Sequence, residues 1–136
     1  MSRQGRASSG CPCGSGQSYS RCCRPLHLRT AEAESAEALM RSRYSAFVKQ
    51  LDGYLAHSWD PSSAPATVSF RSGQRWTGLE IVSSELGGPQ DETGMVEFIA
   101  SYEIEGRSAR LQERSRFVRH QGRWVYLDGE VGSASE

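Results

Sequence analysis

Gly94-Met-Val-Glu-Phe-Ile-Ala-Ser-Tyr-Glu-Ile-Glu105 is the stretch on which the fold turns. Val96, Phe98, Ala100, Tyr102 and Ile104 occupy every second position, the spacing of a strand that buries one face. The intervening Met95, Glu97, Ile99 and Ser101 give the other face mixed polarity. Residues 79–86, 109–119 and 122–129 read as further strands, with Gly87-Gly88-Pro89, Glu105-Gly106-Arg107 and Gln121-Gly122 as the turns between them. Segment 67–77 reads as one more short strand, interrupted by Ser72-Gly73-Gln74. Turns this short join neighbours antiparallel. In 109–119, Ala109, Leu111 and Phe117 alternate with Arg110, Gln112, Arg114, Arg116 and Val118, and two polar residues, Glu113 and Ser115, interrupt the apolar face.

Upstream the period changes. Between Ser35 and Leu51, Ala36, Leu39, Met40, Tyr44, Phe47, Val48 and Leu51 recur every three or four residues, the pattern of an amphipathic helix. Ser35 is placed to cap it, and Glu37 suits its positive start. Asp52-Gly53 breaks the helix and opens a shorter one, Tyr54 to Trp59, which Asp60-Pro61 stops. On that helix Leu55 and Trp59 share a face with Leu51, and His57 faces solvent. Helices followed by hairpin-linked strands make an α+β domain, an antiparallel sheet with helices on one face. Arg43 falls inside the apolar stripe, where a charge either snorkels to the edge or meets a buried carboxylate. Arg43 and Glu113 are both polar residues on inward faces. They meet as a partly buried ion pair or line one pocket, in a structural or a ligand-recognising role.

The chain has 136 residues, 37% hydrophobic and 24% charged, enough for one compact domain with a small appendage. No apolar run approaches the roughly 18 residues of a membrane helix, and the first ten residues hold no apolar core of a secretory leader. A soluble cytoplasmic protein is expected. Its sixteen basic and sixteen acidic side chains balance, yet residues 1–31 carry Arg3, Arg6, Arg21, Arg24 and Arg29 with no acid. Such asymmetry points to an anionic partner or to a solvated basic arm.

All four cysteines, Cys11, Cys13, Cys22 and Cys23, lie in that basic segment. Four thiols within thirteen positions of an otherwise cysteine-free chain indicate a metal rather than disulfides. Pro12 stiffens the first pair, and Gly14-Ser15-Gly16 lets the chain reverse. Adjacent cysteines can both ligate where the backbone turns, as at a helix start. Tetrahedral Zn2+ fits four thiolates best. His27 is a bystander once four thiols are present. With every position filled by protein, the metal is structural and leaves no place for a catalytic water.

Cys11-Pro-Cys-Gly-Ser-Gly-Gln-Ser-Tyr-Ser-Arg-Cys-Cys23 resembles the SEC-C motif, matching it at Cys11, Cys13, Ser15, Gly16, Tyr19, Cys22 and Cys23. That resemblance implies a structural zinc site used for contacts with partner proteins or the ribosome. The remainder resembles the bacterial YchJ family at Ala36-Glu-Ala-Leu-Met-Arg-Ser-Arg-Tyr-Ser-Ala-Phe47, Trp76-Thr-Gly-Leu-Glu-Ile81, Val96-Glu-Phe-Ile-Ala100, Glu113-Arg-Ser-Arg-Phe117 and Gly122-Arg-Trp-Val-Tyr126. The family joins an N-terminal SEC-C motif to a nuclear-transport-factor-2-like domain. The resemblance therefore implies a basic segment, 1–29, holding the zinc knuckle (11–23), and a cone-shaped α+β domain, 30–136, enclosing a pocket. Gln112 stands where the family pattern has His. Some members carry a second SEC-C copy at the C-terminus, where this sequence reads Gly132-Ser-Ala-Ser-Glu136.

Arg43, Tyr44, Tyr102, Glu113, Ser115, Trp124 and Tyr126 are the candidate pocket residues. The first expectation is an adaptor whose knuckle docks on a protein or ribosomal partner, while the cone recognises a partner or small-molecule ligand. An isomerase- or dehydratase-like enzyme is the alternative. It needs a positioned acid–base pair, for which only Glu113, Asp128, Tyr44, Tyr102 and Tyr126 are available. RNA binding through Tyr19 and the arginines is weaker, since one aromatic accompanies five arginines. A homodimer through the open sheet face is a further expectation.

Overall fold

Residues 10–132 are described in the computed structural model. Arg3 and Arg6 of the basic segment, and residues 133–136 of the tail, lie outside the described residues. In chain order come a 3-10 turn (Tyr19–Arg21), helices α1 (Arg24–His27), α2 (Ala36–Lys49) and α3 (Asp52–His57), and strands β1 (Gln74–Leu86), β2 (Thr93–Ile104), β3 (Arg107–His120) and β4 (Arg123–Val131). The strands form one antiparallel meander, β1-β2-β3-β4.

Register explains which side chains turn inward. Phe98 lies opposite Glu113 and Ile81, Val96 opposite Ser115, and Phe117 opposite Tyr126. These residues therefore share the concave face, because side chains directly across a ladder point the same way. Irregularities between Trp76 and Gly78, Ile81 and Ser83, and Arg116 and Phe117 break the ladder and bend the sheet. Strand β1 is consequently longer than expected. It begins at Gln74 and absorbs Trp76, while residues 67–73 form no strand.

Helix α2 lies over the concave face. Ser35 is extended (φ −150°, ψ 165°), and its hydroxyl accepts from the Ala38 amide at 3.1 Å. The helix start sits on the β1–β2 turn, where the Ala36 amide donates to Gly87 O at 2.9 Å. A Cβ on Gly87 would fall 2.8 Å from Ala36 Cβ, and Gly87 has φ of +83°. Only glycine meets both demands there. Ala36, Leu39, Met40 and Tyr44 bury against Val96, Phe98, Ala100 and Phe117, each large apolar side chain contributing about 1.5–3 kcal/mol. Val48, counted with the stripe in sequence, is exposed. Gln50 takes a left-handed conformation (φ 57°) and ends the helix.

Helix α3 stops at His57, two residues short of expectation. Ser58 and Asp60 instead bond across to β4: Tyr126 N donates to Ser58 O (2.8 Å), and Asp60 N donates to Tyr126 O (2.7 Å). Trp59 bridges β4 beside Tyr126 rather than completing a helical face. Among the described residues no helix is long and apolar enough to cross a membrane.

Candidate functional site: a four-cysteine cluster beneath a lined cavity

The knuckle begins as a minimal hairpin. Cys11 N donates to Gln17 O (2.8 Å), Gly14 N donates to Cys11 O (3.1 Å), and Gly10 bridges Ser18. Gly14 and Gly16 reverse the chain at φ of +81° and +89°, conformations costly for other residues. The 3-10 turn then delivers Cys22, and Cys23 caps α1, accepting from the His27 amide at 2.9 Å. All four sulfurs lie within 4.8 Å of one another. Cys13 and Cys22 are separated by 3.5 Å, and Cys22 and Cys23 by 3.9 Å. A tetrahedral four-thiolate centre with bonds of about 2.3 Å has edges of about 3.8 Å, so the sulfurs fit a metal ion.

Their protonation argues the same way. Cys11 is driven well down by hydrogen bonds from Cys13 and Cys23, whereas Cys23 is driven well up, chiefly by its bond to Cys11. Burial pushes the Cys22 thiol up to about 11. Four sulfurs this close cannot all ionise unaided; a cation removes that penalty. Two hydroxyls support the cluster. Ser45 donates to Cys23 Sγ at 3.3 Å and lies 3.5 Å from Cys11 Sγ, and Ser15 Oγ lies 3.1 Å from Cys22 Sγ. Groups of this kind orient thiolates and tune their basicity.

The cluster is seated on the cone. Cys11, Cys13 and Cys23 are buried in the same cluster as Leu39, Tyr44 and Val96. Arg41 donates to Cys13 O at 2.7 Å. His27 forms the other tie: its Nε2 donates to Ser42 O at 2.8 Å, so its Nδ1 must accept from the Tyr19 hydroxyl at 2.7 Å. Both ring nitrogens are committed, which leaves His27 outside the ligand set. Burial lowers its pKa despite the Ser42 carbonyl. Helix α1, which sequence reasoning passed over as linker, carries this histidine.

On the far side of α2, a cavity of about 260 Å³ opens between the helix and the sheet. Of the expected pocket residues, Arg43, Tyr44, Glu113, Ser115 and Tyr126 line it. Tyr102 and Trp124 do not. Tyr102 shares the concave face but packs at a tilt against its cross-strand partner Trp76, ring centres 5.2 Å apart. Trp124 is buried at the other end of β4, under Arg119, whose guanidinium carbon lies 4.1 Å from its ring. Gln112 pairs with Ile99 and bonds Glu97 on the convex face, so a side chain at 112 cannot enter the cavity. Trp59, Trp76 and Phe98, the side chains that could plug such a pocket, line the cavity rather than fill it. The inward parity of Phe98 was legible; the approach of Trp59 and Trp76 to the cavity was not, since the first lies on no strand and the second sits at a break in the β1 ladder.

Arg43 and Glu113 line this one cavity without an ion pair. The Arg43 side chain neither snorkels nor meets a carboxylate. It is 4% exposed, its Nη1 donates to Leu55 O (3.0 Å) and Ser58 Oγ (2.7 Å), and its guanidinium carbon lies 4.8 and 4.7 Å from the centres of the Trp59 and Tyr126 rings, which meet edge to face beside it. It thus closes the C-terminal turn of α3. Burial lowers its pKa to about 10. Glu113 Oε2 accepts from Ser115 Oγ (2.8 Å) and Tyr126 OH (3.0 Å). Burial, followed by the Glu113 charge, raises the Tyr126 phenol.

Comparison with known proteins agrees with this architecture. Residues 35–129 match the family described as YchJ, middle NTF2-like domain. A UPF0225 protein of Streptomyces coelicolor is 51% identical over 120 residues, 88% of this chain and 94% of its own length. One from Methylibium petroleiphilum is 50% identical over 123 residues, 89% and 88% of the two chains. Among solved structures, a SEC-C motif containing protein from Rhodopseudomonas palustris superposes with TM-score 0.81 at 34% identity, covering 90% of this chain and 98% of that one. Another from Psychrobacter arcticus gives 0.72 at 27% identity, covering 90% and 82%. A cysteine knuckle seated on a cone of this topology, matched along nearly its whole length, places the chain in the YchJ family.

Proposed function

We propose that the chain is a zinc-binding adaptor: the knuckle docks on a protein or ribosomal partner, and the cone recognises a partner or small ligand. The observation that carries this reading is the closed sulfur set. Four thiolates from the chain satisfy a tetrahedral Zn2+ completely, so its work is to hold a surface in shape. That surface is basic. Arg21, Arg24 and Arg29 are exposed around the knuckle, Lys49 joins them over the Tyr19 ring at 4.2 Å, and residues 10–31 contain no acid. Tyr19 is covered by Lys49 and its hydroxyl is engaged by His27, which supports an anionic protein or ribosomal surface over base stacking.

The test is a pulldown with the full chain, the Cys22→Ser/Cys23→Ser variant, and an Arg21→Glu/Arg24→Glu variant that keeps all four sulfurs. Elemental analysis should find one zinc per chain in the first and third. Partners retained by the wild type and lost by both variants support the adaptor. Partners indifferent to both, or a chain that binds no zinc, refute it.

A further inference from the structure

Arg43 is a buried cation whose charge has no carboxylate within ion-pairing distance among the described residues. Its ties to Leu55 O and Ser58 Oγ use Nη1 alone, and Arg43 is one of the residues that line the cavity. Trp59 and Tyr126, whose ring centres lie 4.8 and 4.7 Å from the guanidinium carbon, form an edge-to-face corner beside it, and the residue is 4% exposed. A desolvated charge held in this way is costly unless an opposite charge arrives. Glu113 offsets it only from a distance, without forming a pair. One of its oxygens is held by two hydroxyl donors, Ser115 and Tyr126, and it is only half-buried. The rest of the wall includes Trp76, Phe98 and Ala100, aromatic and aliphatic surface facing about 260 Å³ of space. That is room for a single ring and its substituent, a little below the usual volume of drug-sized ligand sites.

We infer that the cavity binds a small aromatic carboxylate, its carboxylate on the guanidinium of Arg43 and its ring between Trp76 and Phe98. This deepens the small-ligand half of the function proposed above and is independent of the metal. A guanidinium suits a carboxylate through paired N–H donors and prefers it to a neutral acceptor. Glu113, on the same wall, opposes the ligand's charge, and its neutralisation strengthens binding.

The experiment titrates the zinc-loaded full chain with phenylacetate, phenylacetamide and phenethylamine, three molecules of one shape and three charges. Binding is followed by calorimetry and by the indole N–H resonances of Trp59 and Trp76. Phenylacetate should bind about tenfold or more tightly than the amide, and the amine not measurably. Glu113→Gln, which keeps an oxygen acceptor for Ser115 and Tyr126, should tighten phenylacetate several-fold. Amide or amine binding as strong as the carboxylate, or looser phenylacetate binding in Glu113→Gln, overturns the carboxylate assignment while a ligand site stands. Absence of saturable binding by all three up to about 10 mM overturns the assignment and the small-ligand reading of the cone together. Neither result touches the knuckle's docking role, which the pulldown tests.

Discussion

Gly129→Ala isolates the floor beneath the cavity. Gly129 lies on β4 opposite Ser115, and a Cβ there would fall 2.7 Å from the Glu113 carboxyl carbon, closer still to its Oε2. By strand preference alone, alanine in place of glycine should help slightly. The geometry demands the opposite. Glu113 must rotate off β4 and so abandon the hydroxyls of Ser115 and Tyr126. Hydrogen bonds to a charged group are worth about 1.5–3 kcal/mol each, discounted here because Glu113 is half-buried and partly rehydrates on moving. A net loss of about 2–4 kcal/mol follows, or a fall in Tm of about 8–16 °C at roughly 4 °C per kcal/mol for a domain of this size. Chemical denaturation of the wild type, Gly129→Ala, Glu113→Ala and the double variant supplies the cycle. In the Glu113→Ala background the new methyl has nothing to strike, so the coupling should reach about 2 kcal/mol. If Gly129→Ala costs the same in both backgrounds, or stabilises the wild type, the contact is not what requires glycine.

Three further outcomes follow from contacts already described. Ser45→Ala removes the donor to Cys23 and should weaken zinc binding about tenfold or more without changing its stoichiometry, measured against a competing chromophoric chelator. His27 has a pKa below its usual 6.5, so its neutral form is the folded one. Its contribution is present above pH 6.5 and is lost as the pH falls from there toward the lowered value. Denaturation midpoints across pH 5–8 should show that drop, and His27→Gln should flatten it. Arg43→Leu and Glu113→Leu should be nearly additive, with coupling below about 1 kcal/mol, because they share Tyr126 but form no ion pair; a coupling of several kcal/mol would require a direct pair.

The two periods in the sequence suffice for the helix-on-sheet architecture, and the thirteen-residue cysteine pattern suffices for the knuckle, because both depend on spacing along the chain. Strand β1 was blurred for a physical reason. Its two irregularities, near Thr77 and Val82, each reset the alternation; the first lets Trp76 and Ile81, five positions apart, both face inward. Trp59 was drawn into a helix by its four-residue step from Leu55, whereas the bonds that Ser58 and Asp60 make with Tyr126 hold the chain there, a partner far away in sequence. The inward turn of Arg43 was legible from its helix face. Its partners were not, since a backbone carbonyl and two rings converge on it from α3, the following segment and β4. Parity likewise placed Tyr102 and Trp124 on the correct face, but only the register along the bent strands shows that the cavity ends between them.

Helix α2 makes the knuckle and the cavity one mechanical unit. Consecutive residues look opposite ways: Arg41, Ser42 and Ser45 hold the cysteine loop and His27, while Met40, Arg43, Tyr44 and Phe47 wall the cavity. Rotation or translation of the helix would disturb both sets at once, and interiors packed at this density shift discretely rather than yield. The side chains at 42 and 43 even converge on the same neighbour: Tyr54 donates to Ser42 Oγ at 2.6 Å, and Arg43 bonds to Ser58, whose hydroxyl bonds Tyr54 O at 2.8 Å. Helix α3 is therefore fastened to both faces of α2. The seat of the thiolate loop and the wall that carries the guanidinium are thus joined through the covalent backbone of α2 and the buried bonds that Ser42 and Arg43 make to α3 and Ser58.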